Sequence, residues 1–183
     1  MTQSNQYPEI QKLQNRTLIP CGIQQKQSTD EEGITTNYYE YTLIKKPLNL
    51  PVNIGNIKAA VCEGINAKRD EMQSLPLEYT FPDGAGHIQR RGQEDERNIQ
   101  GIASAAISLA LADNTIDKVH FTDEENVKHL MTGQEGMTFG VFVFNNYAAN
   151  QDNARQHKNV VNGLTTIEDI ISYDFSIGWV STA

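Results

Sequence analysis

The sequence has few of the residues from which disulfide frameworks and zinc sites are built. It contains two cysteines, Cys21 and Cys62, in 183 residues. Two cysteines so far apart form neither a disulfide framework nor the four-ligand set of a structural zinc site. We therefore expect free, partly buried thiols, and a disulfide between the two is the alternative.

Long apolar runs are also missing. The most apolar stretch, residues 102–112, is rich in alanine and much shorter than the roughly 20 residues that a membrane-spanning helix needs. The first six residues lack the charged-then-apolar order of a secretion signal. We therefore predict that the protein has no membrane partner. We also predict that it is made in the cytoplasm.

Positive charge is scarce. The formal net charge is -8, from 15 Lys and Arg against 23 Asp and Glu. The densest basic group, Arg90-Arg91, is followed at once by Glu94, Asp95 and Glu96. Because an acidic chain repels phosphate backbones, we predict no nucleic-acid partner.

Catalytic and metal-binding patterns are weak. None of the four histidines, His87, His120, His129 and His157, is paired with another at the i, i+4 spacing of a zinc helix. His120 and His129 could converge with Asp123 or Glu124 on a metal, but solvated or hydrogen-bonded histidines are the favoured interpretation. A serine nucleophile needs a base and an orienting acid, and Ser104 and Ser108, on an alanine-rich helix, have neither near them in sequence. We predict a protein that is not an enzyme, with no catalytic residue, metal or cofactor.

The elements that are present alternate between strand and helix patterns. Residues 18–21 and the aromatic, β-branched run 38–44 predict strands, and the polar residues 24–33 between them predict a loop. Apolar residues at helical spacing predict a helix over 53–73. The glycines and Asp83 at 82–86 predict a hairpin in preference to a phosphate loop.

The second half is mainly helical by its periodicity. Residues 119–122 predict a short strand, and helices are predicted over 94–111, 122–131 and 135–162. The β-branched and aromatic first half of the 135–162 segment could instead be a strand. Thr165 with Glu168 predicts a capping box before a short last helix. Small residues Gly101, Ser104, Ala105 and Ser108 predict a face of the 94–111 helix where another helix can approach. The fold class is α+β, with N-terminal strands and a hairpin packed with a C-terminal cluster of about four helices. We divide the chain into a strand-helix attachment segment, 1–76, and a helical domain, 77–183.

A series of short motifs follows in order along the second half. They are Arg97-Asn98-Ile99-Gln100-Gly101, Val119-His120-Phe121, the segment 127–131, His157, Thr166-Ile167-Glu168-Asp169-Ile170-Ile171 and Gly178-Trp179. In order and spacing they resemble domain of unknown function 4376, over about residues 78–179. The resemblance implies a tailed-phage or prophage setting and implies no enzymatic activity. It also implies that His157 is packed and hydrogen-bonded beneath Trp179.

From that resemblance we predict a structural component of a tailed-phage virion, associated with the tail, neck or fibre. It would assemble in the host cytoplasm and bind other virion proteins in several symmetry-related copies. A tail-fibre assembly chaperone and an uncharacterised bacterial enzyme are the alternatives. Aromatic side chains are favoured interface anchors, so the predicted contact residues are Tyr38, Tyr39, Tyr41, Phe175, Ile177 and Trp179. The favoured alternatives are that the tyrosine strand is half covered by a helix and that Trp179 packs in the core of its own domain.

Overall fold

The protein has the predicted α+β architecture. The computed structural model describes residues 2–12, 16–47, 51–88 and 93–180. The strands are β1 (Thr2–Ser4), β2 (Gln11–Lys12), β3 (Arg16–Thr29), β4 (Thr35–Pro47), β5 (Leu77–Phe81), β6 (Gly84–Ile88), β7 (Val119–Thr122) and β8 (Lys128–Met131). The helices are α1 (Ile54–Ser74), α2 (Gln93–Leu111), α3 (Gly133–Gly163) and α4 (Ile167–Ser172). Within the described residues, no helix combines the length and the apolar character needed to span a membrane.

The chain forms two compact units, each made of non-contiguous segments. Unit 1 contains the residues up to Lys68 and Asn153–Gly178. Unit 2 contains Arg69–Asp152 and the residues from Trp179 onward. Helices α1 and α3 therefore contribute residues to both units. The division of the chain at residue 76 stays a prediction.

Unit 1 is built on an antiparallel sheet with the strand order β1-β4-β3-β2. Strands β3 and β4 pair along almost their whole length, out to Thr29 opposite Thr35. The loop predicted over 24–33 is therefore wrong for its first part, because residues 24–29 lie within β3. Lys26 pairs with Glu40 and Thr29 with Thr35 across the ribbon. The turn is confined to the residues after Thr29, where the Asp30 side chain accepts hydrogen bonds from two backbone N–H groups.

Apolar residues from four elements fill the interior of unit 1. Helix α1 buries Ile57, Val61 and Ile65, which recur at helical spacing. The other buried apolar residues of the unit come from β3, the end of α3, α4 and the following segment, and include Ile19, Ile23, Val161, Ile170 and Phe175. Helix α4 is capped by Thr166 and Asp169, so the predicted capping box is displaced by one residue.

Side chains of α3 hold the segment that follows α4 in unit 1. The Ile177 carbonyl accepts hydrogen bonds from His157 Nε2 at 3.0 Å and from Asn153 Nδ2 at 3.2 Å. The other ring nitrogen of His157 lies 2.8 Å from the Tyr173 hydroxyl. A neutral ring that donates through Nε2 and accepts at Nδ1 satisfies both contacts. The prediction of a buried, hydrogen-bonded His157 is confirmed, and its packing beneath Trp179 stays a prediction.

Unit 2 contains two β-hairpins. Strands β5 and β6 form the predicted hairpin, with Leu77 opposite Ile88. The helix predicted over 122–131 is wrong, because β7 and β8 form a second hairpin with Val119 opposite Met131. Buried and exposed residues alternate along both strands, and Asn126 takes a positive φ of 63° at the turn. Period-two burial and a left-handed turn residue suit a hairpin and disfavour a helix.

Helices α2 and α3 approach each other closely within unit 2. A Cβ added to Gly136 would lie 2.7 Å from Ala106 Cβ, and one added to Gly140 would lie 2.9 Å from Ala103 Cβ. The approach therefore uses alanines of α2 and glycines of α3. The small-residue face predicted for this purpose is exposed at all four of its positions, Gly101, Ser104, Ala105 and Ser108.

Candidate protein-binding groove and a buried histidine cluster

An open groove runs between α2 and α3 on the surface of unit 2. It has a volume of about 650 Å³. Its apolar walls are formed by Ile99 and Ile107 from α2 and by Val143, Phe144 and Tyr147 from α3. The Phe144 side chain is 66% exposed, and Ile107 and Tyr147 are nearly half exposed. Exposed large apolar side chains that line one depression mark a site of protein or ligand contact.

The floor of this groove is made of small residues. Ala103 of α2 faces Gly140 of α3, Ser104 also lines the groove, and the close helix approach at Gly140 sets the groove's base. Polar residues Gln73, Glu96 and Gln100 complete the lining. Glu96 is the single charged residue among the described residues of the lining.

The sequence of α3 explains why apolar side chains reach this surface. Its run from Phe139 to Phe144 is apolar at five of six positions, so it presents apolar side chains around the helix and not along one stripe. Phe139 is fully buried in the unit 2 core, whereas Val141 and Phe144 are exposed. A core that lies on one side of the helix cannot cover apolar side chains that point in all directions. The apolar run was therefore the sequence signal from which the groove could have been predicted.

The predicted tyrosine contacts lie on β4 in unit 1. Tyr38 lines a polar recess of about 600 Å³ together with residues of β1 and β3. Tyr39 packs edge-on against Tyr7, with ring centroids 5.5 Å apart. Tyr41 is half-buried opposite Thr2. The tyrosines thus share one strand, and their role in binding a partner stays a prediction.

The three predicted C-terminal contact residues lie in different surroundings. Phe175 is buried in unit 1, and its ring passes close to Gly22 and Gly64. Ile177 is exposed in the same unit, while Trp179 belongs to unit 2 and is half-buried. Only Ile177 of the three presents a largely exposed side chain, and the predicted interface role of all three remains to be tested.

A buried histidine joins the two hairpins of unit 2. His129 on β8 donates from Nδ1 to Asp83 Oδ1 at 2.7 Å and from Nε2 to Asp123 Oδ2 at 3.0 Å. The side chains of His129 and Asp123 are 3% and 2% exposed, whereas Asp83 is half exposed. Since ionised carboxylates only accept hydrogen bonds, contacts to Asp83 and Asp123 favour the imidazolium form of His129, in which both ring nitrogens carry protons. The cluster is therefore a buried ionic link between the β5–β6 turn and the β7–β8 hairpin.

Two neighbours shape the pocket of this imidazolium. The Phe81 ring stacks on it at a centroid distance of 3.9 Å, which places a π-face against the cation. Gly86 of β6 passes so close that an added Cβ would lie 2.6 Å from Asp123 Oδ2 and 2.9 Å from His129 Nε2. The hairpin glycine is thus required for close backbone approach to the cluster.

Hydrogen bonds and neighbouring charges shift the pKa values of His129, Asp83 and Asp123. Burial alone would lower the pKa of His129, but hydrogen bonds and attraction from Asp123 and Asp83 outweigh it and raise the pKa above its usual value. The hydrogen bond from His129 lowers the pKa of Asp83. Burial would raise the pKa of Asp123, but bonds from His129 and the Val127 N–H reverse the effect and lower it. All three shifts favour the charged forms of these groups.

Stability should therefore depend on pH in a defined window. The raised pKa of His129 contributes stability that is complete below about pH 6.5 and is lost as pH rises through the folded-state pKa. The lowered pKa values of Asp83 and Asp123 contribute stability that is present above about pH 4 and is lost under more acidic conditions. Urea unfolding of the chain and of His129→Gln, each at about pH 6 and pH 8.5, measures the histidine contribution. The fall in stability between these pH values should be smaller in the variant, and equal falls would contradict the assignment.

Catalytic use of this cluster would require a rearrangement. With both nitrogens engaged, the His129 ring has no lone pair for a metal or for proton abstraction. His120, which the disfavoured metal interpretation would bring beside it, is exposed on β7 opposite Leu130. Across the described parts of the chain, no group of three or more His, Cys, Asp or Glu residues is arranged to hold a metal ion.

The cysteines are free thiols, as predicted. Burial raises the pKa of Cys21 to about 12, and its Sγ lies 3.5 Å from the Thr42 carbonyl oxygen. Burial also raises the pKa of Cys62. Both are therefore protonated and weakly nucleophilic at neutral pH, which suits structural thiols.

These features define a two-unit α+β protein with an open apolar groove and an internal ionic link. The model of the family described as Domain of unknown function (DUF4376) matches residues 56–177. The chain belongs to this family, and the match extends further toward the N-terminus than the resemblance found in the sequence. No curated protein and no solved structure matches the chain.

Proposed function

We propose that the chain is a structural component of a tailed-phage virion that acts by binding other proteins and not by catalysis. The observation that carries the proposal is the groove of unit 2, where Phe144, Ile107 and Tyr147 leave large apolar surfaces uncovered. Aromatic side chains at the centre of a depression are typical anchors of protein interfaces. The virion setting rests on the phage context that the family resemblance implies.

Attachment within a particle also fits the composition of the surface. The chain is acidic, so contacts with the packaged nucleic acid are unfavourable and contacts with protein neighbours are favoured. Particle components repeat according to the symmetry of the assembly, so we expect a fixed small number of copies. The tail, neck and fibre are the proposed locations.

Quantitative mass spectrometry of purified virions tests this proposal. The encoding phage should contain the chain at a constant stoichiometry relative to the major tail and portal proteins, after washing at high salt. Absence from mature particles, with presence in the infected cell, would contradict a structural role and support an assembly chaperone. The matched control is a virion preparation from a mutant that lacks the gene, in which the signal must disappear.

A further inference from the structure

We propose that the unit 2 groove binds an amphipathic α-helix of another protein, with a basic residue of that helix opposite Glu96. This inference rests on the proposed function, since it specifies the partner for the same groove. It commits to one occupant, a helix of about three turns that carries an apolar stripe.

The dimensions of the groove favour a helix. From Glu96 to Ile107 the lining of α2 spans about 16 Å, and from Gly140 to Tyr147 the lining of α3 spans about 10 Å, at the helical rise per residue. Three turns of helix have the same length as the longer wall. Apolar side chains at i, i+4 and i+7 of such a helix match walls that run along two neighbouring helices.

The floor permits a helix backbone to come close. Ala103, Ser104 and Gly140 have small side chains or none. A third helix can therefore pack over the contact between α2 and α3, with its larger residues against the walls. Ile107 and Phe144 then gain the cover that they lack within the described residues of this chain.

Charge decides the chemistry of the partner. Glu96 is exposed at one end of the groove and follows Glu94 and Asp95 in the first turn of α2. Among the described lining residues there is no Lys or Arg to balance it. An occupant with Lys or Arg near that end is complementary, whereas a second copy of this chain, with a formal net charge of -8, is repelled at long range.

Defined peptides test the occupant with the full-length chain. The probe is a fluorescein-labelled, 14-residue alanine- and glutamine-based helix with leucines at i, i+4 and i+7 and one terminal arginine. A second peptide replaces that arginine by glutamate, and a third has the same composition with the leucines moved off the stripe. Fluorescence anisotropy gives the three dissociation constants.

We expect the striped arginine peptide to bind most tightly, about threefold better than the glutamate peptide, because Glu96 is exposed to solvent. Glu96→Lys should reverse that order. Phe144→Ala should weaken binding about tenfold, as expected for an aromatic anchor. Leu111→Ala, which changes an exposed apolar residue of α2 outside the lining, should leave binding unchanged.

Several results would overturn the inference. Equal binding of the striped and rearranged peptides would exclude a helix stripe, and a peptide order that Glu96→Lys does not change would exclude the charge contact. Failure of every peptide to saturate would exclude the helix as occupant. A dimer in light scattering that Phe144→Ala dissociates would identify a second copy as the occupant. None of these results alters the copy number in virions, so the two proposals fail separately.

Discussion

Gly136→Ala should destabilise unit 2, although alanine is the better helix former. The new Cβ would lie 2.7 Å from Ala106 Cβ and 2.9 Å from Val119 Cγ2, closer than carbon atoms pack. Overpacking of this kind costs about 1–3 kcal/mol, which exceeds the gain of about 1 kcal/mol from replacing a helical glycine. We expect a net loss of up to about 2 kcal/mol in the free energy of unfolding.

Gly101→Ala is the matched control for this prediction. Gly101 lies in the interior of α2. Apart from its two chain neighbours and the nearby backbone of α2, no heavy atom lies within 4 Å of a Cβ added there. The same substitution should therefore stabilise the chain by about 0.5–1 kcal/mol. Urea unfolding with unchanged m-values measures both. Similar effects at the two glycines would show that helix propensity, and not the approach of α2 to α3, decides the outcome.

His129→Ala should be the most damaging single change in the histidine cluster. It removes a buried ring that stacks on Phe81 and donates two hydrogen bonds, and such losses cost about 2–4 kcal/mol in folded proteins. The loss is larger because Asp123 stays buried without its cation. Circular dichroism of thermal unfolding, at about pH 6, should show a clear fall in melting temperature.

His120→Ala is the control on the neighbouring strand. Its side chain is exposed on β7, so the free energy of unfolding should change by no more than about 0.5 kcal/mol. His129→Gln keeps one amide donor and should lose less stability than His129→Ala. If all three variants unfold alike, the cluster contributes little to the link between the hairpins.

Local patterns were enough to predict most elements. Apolar spacing located α1, α2 and α3, and the glycine-rich segment before His87 located the β5–β6 hairpin. The first strand of the second hairpin was predicted, but its partner β8 was missed because residues 122–131 are few, and their apolar residues fit a helix as well as a strand. The feature that decides for a hairpin is the positive φ of one turn residue, Asn126, and the sequence does not show that angle.

The start of α3 shows a signal that was present but interpreted differently. The predicted 122–131 helix ends just before Thr132, yet the Thr132 N–H donates to the Glu135 carboxylate and its hydroxyl oxygen accepts from the Glu135 N–H. This is the reciprocal pattern of a capping box at a helix start. The hydrogen bonds that Thr132 donates lower the pKa of Glu135, which keeps the cap charged.

The candidate sites depend on contacts between distant residues. Asp83 lies 46 positions before His129, and the groove requires Ile107 of α2 to lie along the same cleft as Phe144 of α3. Periodicity specifies which face of an element is apolar, but it does not specify which element covers that face. The apolar run from Phe139 to Phe144 indicated surplus apolar surface, and only the packing of α2 on α3 located it.

The Ile177 carbonyl receives two side-chain hydrogen bonds, one from Asn153 and one from His157. Its backbone is thereby fixed without belonging to a helix or a strand, while its side chain is 64% exposed. An apolar group on an immobilised backbone loses little conformational entropy when a partner covers it. Ile177 is therefore preorganised for binding, and a partner that covers it pays a smaller entropy cost than one that must first order a flexible terminus.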